Sequence, residues 1–402
     1  MKGRWKIAFV SFSTVLSLLL LVGAMLGQEK APKEPYPQLA VLSEVLSRIQ
    51  SDYVENPNFS KVTSGALHGL LESLDPFSSY LTPQEYQEYQ KKHETSGSVG
   101  VVISKRAGFV SMVAVLPSSP AEKAGLQAGD VIESIDGRTT RDMSLAEIIH
   151  RLEGAPGTSV KVAVIRERAA EPKPFDLKRE QVVPPDAFGR LLESNIGYLR
   201  VEAFPKGETQ KIAARIQELR KAGAKKFILD MRDNAFGDLE EGISTANLFL
   251  NQGLIGYLSG QQYPRKSFLA DSSKGISSEP LAILVNQSSG GAAEIVAGAI
   301  LDNHRGIVVG ERTFGIGSVQ KVIPLDDGSA LILSVAKYYT PSGKQIQEGG
   351  ITPTVRVQEE RELIPLSGDT AAPAEPKKPS EDAPLKRAIE LLASEEAQPK
   401  AA

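Results

Sequence analysis

The chain has 402 residues, of which 41% are apolar and 24% are charged, and its net charge is −3. This length favours two or three globular domains, and the absence of a block rich in Lys and Arg beyond the first few residues argues against nucleic acid as a partner. There is no cysteine, and the four histidines lack metal-ligand spacing. We therefore expect no disulfide, no thiolate chemistry, no metal site and no cofactor.

A basic start and an apolar run form the N-terminus. Lys2, Arg4 and Lys6 precede the uncharged run Ile7–Leu26. This order is typical of an export signal, and a run of roughly 20 residues is also long enough to cross a bilayer as a helix. The sequence leaves open whether residues 1–28 are a cleaved signal peptide or a membrane anchor. In both cases we expect the rest of the chain outside the cytoplasm, in the periplasm or at the extracytoplasmic face of the membrane.

The next two segments differ in their hydrophobic pattern. In residues 36–95, apolar side chains such as Leu42 and Leu46 recur at three- and four-residue steps, which predicts an N-terminal helical domain. Residues 97–183 instead contain short strand-like runs separated by turn residues, which predicts a domain rich in β-strands.

The last two segments differ in composition. Residues 184–358 alternate strand-like and helical patterns, which is typical of an α/β domain. Residues 359–402 are rich in Pro, Ala, Glu and Lys, which predicts a low-complexity tail that is mostly disordered, with one helical stretch at Leu385–Ser394.

A motif in the β-rich segment indicates the type of domain. Residues 119–137 read SPAEKAGLQAGDVIESIDG, so a short helix ends at a glycine and a half-buried strand ends in an Asp-Gly turn. This segment resembles a PDZ domain, which implies that residues 97–183 bind free chain ends. The peptide would add a strand to the sheet, and backbone amides would hold its terminal carboxylate.

The resemblance assigns the peptide site to one loop and one helix. The implied binding residues are Val99, Gly100, Val101, Leu145, Ile148 and Ile149. The first three form the loop for the carboxylate, and the last three form an apolar stripe on the helix beside it. The sequence also allows these helix residues to belong to the core of the domain.

Five further segments resemble, in the same order, motifs of the carboxyl-terminal processing (tail-specific) serine proteases. They are Asp75–Leu81, Ile228–Asn234, Val285–Ala299, Thr313–Gln320 and Tyr338–Gly343. The resemblance extends from about residue 36 to residue 357. It implies an α+β multidomain fold with an N-terminal helical domain, a PDZ domain and an α/β core of the ClpP/crotonase type.

The same resemblance implies a chemistry that this chain lacks. Family members attack the peptide bond with a serine whose proton is taken by a neutral lysine, because a serine hydroxyl alone is a weak nucleophile. The corresponding positions are Gly291 and Ile316, and their separation equals that of the family pattern. Since glycine has no attacking atom and isoleucine accepts no proton, the catalytic dyad is degenerate and we predict an inactive enzyme.

Other parts of the implied site are retained to different degrees. Gln320 matches the family's supporting glutamine, and its even separation from Ile316 predicts that both lie on one strand face. The resemblance places the oxyanion donors at the backbone of Ala292 and Gly237. Phe236 stands where the family has a glycine, so the backbone of this turn is expected to differ.

The motifs are compatible with three functions of this chain. Ser288, Ser289, His304 and Lys321 do not suggest a replacement dyad, because their spacing and direction differ from those of the missing pair. The first function is a pseudoprotease that binds the C-terminal tails of exported proteins, as a homo-oligomer or together with an active homologue. The second is an active serine endopeptidase that cleaves such tails with a non-standard dyad, and the third is a membrane-tethered scaffold.

Overall fold

The structure is a computed structural model that describes residues 38–91, 97–166, 171–359 and 382–394. The predicted signal or anchor, residues 1–28, lies outside these ranges. Within them, no helix combines the length and the apolar character that crossing a bilayer requires. The chain divides into two compact units, residues 1–65 and 66–402.

The N-terminal elements largely follow the predicted helical pattern. They are α1 (Gln38–Asp52), α2 (Phe59–Glu72), β1 (Ser79–Leu81) and α3 (Pro83–Gln90). No residue of α1 is buried, so apolar side chains such as Leu42 and Val45 are exposed. Thr82 caps α3 through a capping box with Glu85, in which each side chain bonds to the other residue's backbone N–H.

Residues 97–183 fold as an antiparallel sheet with two helices. The elements are β2 (Val101–Arg106), β3 (Phe109–Val115), α4 (Pro120–Lys123), β4 (Val131–Ile135), β5 (Arg138–Thr139), α5 (Leu145–Leu152), β6 (Ser159–Ile165) and β7 (Lys173–Lys178). The strand order is β2-β3-β4-β6-β7, with β5 beside β4. Among the described strands, β2 therefore has a neighbour on one side only, which leaves a backbone edge beside it for an added strand.

The remaining described residues form two sheets, one of which includes β1, and four α-helices. The elements are β8 (Phe188–Leu192), β9 (Ile196–Arg200), α6 (Glu208–Lys221), β10 (Lys226–Asp230), α7 (Leu239–Phe249), β11 (Leu254–Ser259), β12 (Lys266–Leu269), β13 (Leu281–Val285), α8 (Ala292–Asp302), β14 (Ile307–Gly310), β15 (Ser318–Pro324), β16 (Ala330–Tyr339), β17 (Val355–Arg356) and α9 (Ala383–Ala393). One sheet has the order β17-β14-β13-β10-β9-β8 and is parallel except at β8.

Both faces of this mostly parallel sheet are covered, which explains why the central strand β13 is apolar and buried at every position. Leu229 and Ile283 point to the face that packs against α6, α7 and α8, whereas Ile228 and Leu284 point to the face that packs against α9. Side chains of successive residues in a strand alternate between the faces. Because β10 and β13 are parallel, their carboxyl ends lead into turns at the same edge of the sheet.

The structure adds detail to two of the predicted segments. Residues 36–95 are not purely helical, because β1 pairs with β16 in the second sheet and so belongs to the core. The tail is not uniformly without structure, because α9 buries Ala388, Leu391 and Leu392 against the parallel sheet. The predicted helical stretch is thus confirmed, while residues 360–381 and 395–402 lie outside the described ranges and their disorder stays a prediction.

Candidate functional site

The side chain of Glu294 connects the two positions at which the family would carry its dyad. Glu294 lies in the first turn of α8 and is completely buried. Its carboxylate accepts hydrogen bonds from the backbone N–H of Gly291 (3.0 Å), Gly315 (2.7 Å) and Ile316 (2.7 Å), and from the hydroxyl of Thr313. The nucleophile turn and the loop of the base are thereby fixed to one group.

The backbone at Gly291 has the sharp strand-to-helix turn of a nucleophile position. Its φ of 59° and ψ of −115° lie in a region that side chains rarely adopt. A Cβ placed there would lie 3.5 Å from Leu239 Cδ2, an ordinary van der Waals contact. A serine would therefore fit sterically, with backbone strain of about 1–3 kcal/mol.

The side chain of Ile316 lies beside this turn. A Cβ on Gly290 would lie 3.0 Å from Ile316 Cδ1 and 3.1 Å from the Cβ of Ala235. The degenerate base position thus contributes an apolar surface against the nucleophile turn. No atom of Gly291 or Ile316 can supply the nucleophile or the base of peptide hydrolysis.

The two predicted oxyanion positions have different surroundings. Ala292 is the first residue of α8, and its N–H has no hydrogen-bond acceptor among the described residues, as is usual at a helix N-terminus. Gly237 has φ 109° and packs so closely on the carbonyl of Phe204 that a Cβ would clash with it. Hydrogen bonds of 2.9 and 2.8 Å join Phe204 to Phe236 and Asp238, so the turn is held on both sides of Gly237.

The two serines that precede Gly291 make hydrogen bonds that hold the turn. The hydroxyl of Ser289 is buried, donates to the carbonyl of Met231 (2.8 Å) and accepts from the N–H of Asn286 (3.0 Å). Ser288 is also buried, and its N–H donates to Asn286 Oδ1. These contacts fix the turn and leave Ser289 no free proton to transfer to a base.

Gln320 lies in β15, whereas Ile316 precedes this strand, which begins at Ser318. The register of β15 also shifts between Val319 and Gln320, so the two residues do not share a strand face as expected. Such an irregularity breaks the alternation of side chains along a strand. The exposed amide of Gln320 donates to Ser318 Oγ (2.7 Å) and Ser334 Oγ (3.4 Å).

The predicted carboxylate loop requires its glycine. Gly100 has φ 80°, and a Cβ there would clash with the side chain of Ser119. The N–H of Gly100 donates to Ser98 Oγ at 3.0 Å, and its carbonyl accepts from Leu116. The Val99 side chain is buried, whereas Val101 begins the edge strand β2.

Helix α5 divides its three predicted groove residues between the core and a cavity. Ile148 is 0% exposed and belongs to the core, so its assignment to the peptide groove is wrong. Ile149 is 37% exposed and lines a cavity of about 190 Å³. Leu145 also lines this cavity, but it is only 4% exposed and belongs to the same core cluster as Ile148. Other lining residues are Phe77, Tyr89, Gln320 and Ile332. The cavity thus lies between the β-rich domain and the α/β core.

A charged network that the sequence did not indicate lies where the turns after β10 and β13 begin. Arg232 binds the buried carboxylate of Asp230 through Nη2 (2.6 Å), and it also binds Asp382 and Glu359 at 2.9 Å. Glu359 accepts a further hydrogen bond from Asn286 Nδ2 (3.0 Å). Glu359 and Asp382 are more than 100 residues away from Arg232 in sequence. The fold therefore brings this C-terminal segment to the edge of the sheet at which both turns begin.

Comparisons with known proteins define the class that this fold and site represent. Residues 195–357 match the model of peptidase family S41, and residues 112–166 match the model of a PDZ domain. The chain is 33% identical over 361 residues to the carboxy-terminal-processing protease of Bartonella bacilliformis, a match that covers 88% of this chain and 83% of the relative. It is 30% identical over 370 residues to the carboxy-terminal processing protease CtpA of Bacillus subtilis, with 89% and 78% covered.

A solved structure agrees with these relatives. The photosystem II D1 C-terminal processing protease matches with a TM-score of 0.65 and 27% identity, covering 88% of this chain and 92% of that protein. The chain belongs to the carboxyl-terminal processing proteases of peptidase family S41. The family and the mixed α and β fold predicted from the motifs are therefore confirmed.

The burial of Glu294 predicts a specific dependence of stability on pH. Desolvation raises the pKa of Glu294 from 4.5 to about 7, although hydrogen bonds from Thr313, Ile316, Gly291 and Gly315 partly oppose this shift. The folded protein then keeps a proton that the unfolded chain has released. We expect this group's contribution to stability to be largest below pH 4.5, to fall by up to about 1.4 kcal/mol per pH unit, and to become constant above about pH 7.

Urea unfolding from pH 4.5 to 8 measures this contribution. Glu294→Gln should remove the slope, and the exposed Glu240→Gln serves as a matched control that should retain it. Glu294→Ala should cost about 1–3 kcal/mol for each buried N–H left without an acceptor. An unchanged slope in Glu294→Gln would show that another group titrates.

Proposed function

We propose that this protein is a catalytically impaired pseudoprotease that acts outside the cytoplasm and binds the C-terminal tails of exported proteins. The observation that carries the proposal is the pair Gly291 and Ile316, held by Glu294 at the nucleophile and base positions without any reactive atom. The names of the relatives refer to processing of carboxyl termini. We infer that this chain keeps recognition of such termini and has lost their cleavage.

The size of the expected catalytic loss favours a binding function. In a serine protease, loss of the nucleophile lowers turnover by a factor on the order of 10⁶, and binding with oxyanion stabilisation leaves roughly 10³–10⁴ over water. This chain lacks both members of the dyad. The turns at Gly237 and Gly291 nevertheless keep defined geometries, which supports retention of the fold for a purpose other than turnover.

The β-rich domain offers the features that capture of a chain end requires. β2 has an outer edge without a neighbouring strand among the described residues, and Ile149 presents an exposed apolar side chain on α5 beside the largely buried Leu145. A peptide that adds a strand gains main-chain hydrogen bonds, and an apolar pocket selects its side chains. Exposed apolar residues of α1, such as Leu42 and Val45, support association with a second copy or with an active homologue.

Binding of a free carboxylate is tested with matched peptides. A peptide with an apolar last residue should bind the purified protein, and its C-terminal amide should bind at least about tenfold more weakly, because a charged acceptor for backbone N–H groups is lost. Calorimetry with the peptide acid, its amide and a sequence-scrambled acid measures the difference. Equal affinity for acid and amide would contradict recognition of the chain end.

Restoring the dyad tests the proposed cause of inactivity. We expect no cleavage of an unstructured peptide by the wild type or by Gly291→Ser, since an unassisted hydroxyl stays protonated. Gly291→Ser with Ile316→Lys should cleave on the order of 10²-fold faster than the matched variant Gly291→Ala with Ile316→Lys, because the apolar site lowers the pKa of the lysine. These two variants differ by one oxygen atom.

Either of two results would contradict this account of the lost chemistry. Turnover by the wild type, with a serine-reactive inhibitor attached to Ser288 or Ser289, would favour an active peptidase with a non-standard dyad. If the double variant is inactive and the protein also fails to bind the peptide acid, a scaffold function is favoured. Phe236→Gly in the double variant then measures whether the ring in the oxyanion turn obstructs the site.

Export is tested by fractionation of cells that make the full chain. The basic residues Lys2, Arg4 and Lys6 and the run Ile7–Leu26 support our proposal that the chain is exported and associates with the membrane. We expect it to be accessible to protease added outside the cytoplasmic membrane, whereas a variant beginning at Glu29 should remain inaccessible. N-terminal sequencing distinguishes a cleaved signal from an anchor. A full chain recovered in the cytoplasm with an intact N-terminus would refute export.

A further inference from the structure

We propose that the aromatic ring of Phe77 occupies part of the peptide groove, so that a bound chain end must displace it. This inference rests on the proposed function, because it concerns the same groove. Phe77 precedes β1 in the α/β core, yet it packs against the core cluster of the β-rich domain. It lines the cavity of about 190 Å³ beside Leu145 and Ile149, the two groove residues that α5 presents there.

The chemistry of this cavity suits an apolar ligand side chain. Tyr89 and Ile332 line it together with Phe77, and its polar lining residues are His150, Glu153 and Gln320. Phe77 is half-buried, so its ring covers part of the apolar surface that α5 would otherwise expose. Burial of apolar surface is favourable, and the ring and a ligand side chain therefore compete to cover the same surface of α5.

The turn that carries Phe77 is fixed by a carboxylate. Asp75 Oδ1 accepts the N–H of Phe77 and of Ser78 at 2.8 Å each, and Asp75 Oδ2 accepts the Ser78 hydroxyl at 2.9 Å. The Ser78 hydroxyl accepts the N–H of Ser334 in β16 at 3.1 Å. The ring is therefore held toward α5 by defined hydrogen bonds.

The turn also separates two cavities. Phe77 lines the smaller one, whereas Pro76 and Ser78 line a second cavity of about 510 Å³ beside Lys105. Leu145 lines both. Movement of the turn would join the two spaces along α5, which provides room for more than one residue of a peptide.

Displacement of this turn would reach the degenerate dyad region through Ser334. The hydroxyl of Ser334 donates to Asp75 Oδ1 (3.1 Å) and accepts from the amide of Gln320 (3.4 Å). A ligand in the groove would thus alter contacts of β15, the strand that follows Ile316. This contact chain predicts a structural response to binding that does not require catalysis.

Phe77→Ala tests the inference by removing the internal occupant. If the ring fills the groove for nine-tenths of the time, its removal should tighten binding of the peptide acid about tenfold, because the competent fraction rises from one-tenth to one. Phe109→Ala is the matched control, since Phe109 lies in the β-rich domain, is 55% exposed and does not line the cavity. This variant should bind the peptide acid with the affinity of the wild type. Phe77→Leu keeps an apolar contact and should give an intermediate affinity.

Hydrogen exchange gives a second readout that does not depend on a variant. Binding of the peptide acid to the wild type should increase exchange of residues 75–81, because the turn must leave its position. Unchanged exchange, or equal or weaker binding by Phe77→Ala with a preserved preference for acid over amide, would overturn this inference and leave the proposed function in place. Absence of peptide binding in every variant would overturn both.

Discussion

The geometry of the degenerate site depends on the buried carboxylate of Glu294. Three backbone N–H groups from two separate loops converge on it, and those of Gly291 and Gly315 form buried hydrogen bonds. Loss of this acceptor would leave several buried donors unpaired, whereas loss of the serine and lysine side chains leaves the hydrogen bonds intact. In the pseudoprotease that we propose, the shape of the site is therefore independent of the catalytic side chains, because Glu294 carries the shape.

A second polar network has a similar arrangement at the same edge of the sheet. Arg232 joins Asp230 at the end of β10 to Glu359 and Asp382 in the C-terminal segment. Asn286, after β13, adds a hydrogen bond to Glu359. Buried charges are tolerated when each is paired and hydrogen-bonded. The turns after β10 and β13 are consequently held by contacts with Asp382, the N-cap of α9, as well as by the sheet.

The sequence predicted the family, the order of domains and the strand-to-helix turn at Gly291, because each depends on local motifs. It failed where long-range contacts decide. The alternation rule placed Gln320 beside Ile316, but a register shift in β15 breaks that rule. Ile148 and Ile149 have equal hydrophobicity, and only packing buries the first in the core and places the second at the cavity beside α5. Neither composition nor periodicity indicates that α9 covers the sheet or that β1 pairs with β16.

The bonding of Arg232 has a consequence for the anchoring of the C-terminal helix. Glu359 and Asp382 both bind its Nη1, so two residues that are 23 positions apart in sequence meet at one guanidinium group. The start of α9 is therefore held at the sheet by a charged group, while Ala388, Leu391 and Leu392 hold the rest of the helix by apolar contacts. A substitution of Arg232 would free the polar end of α9 and leave its apolar contacts in place.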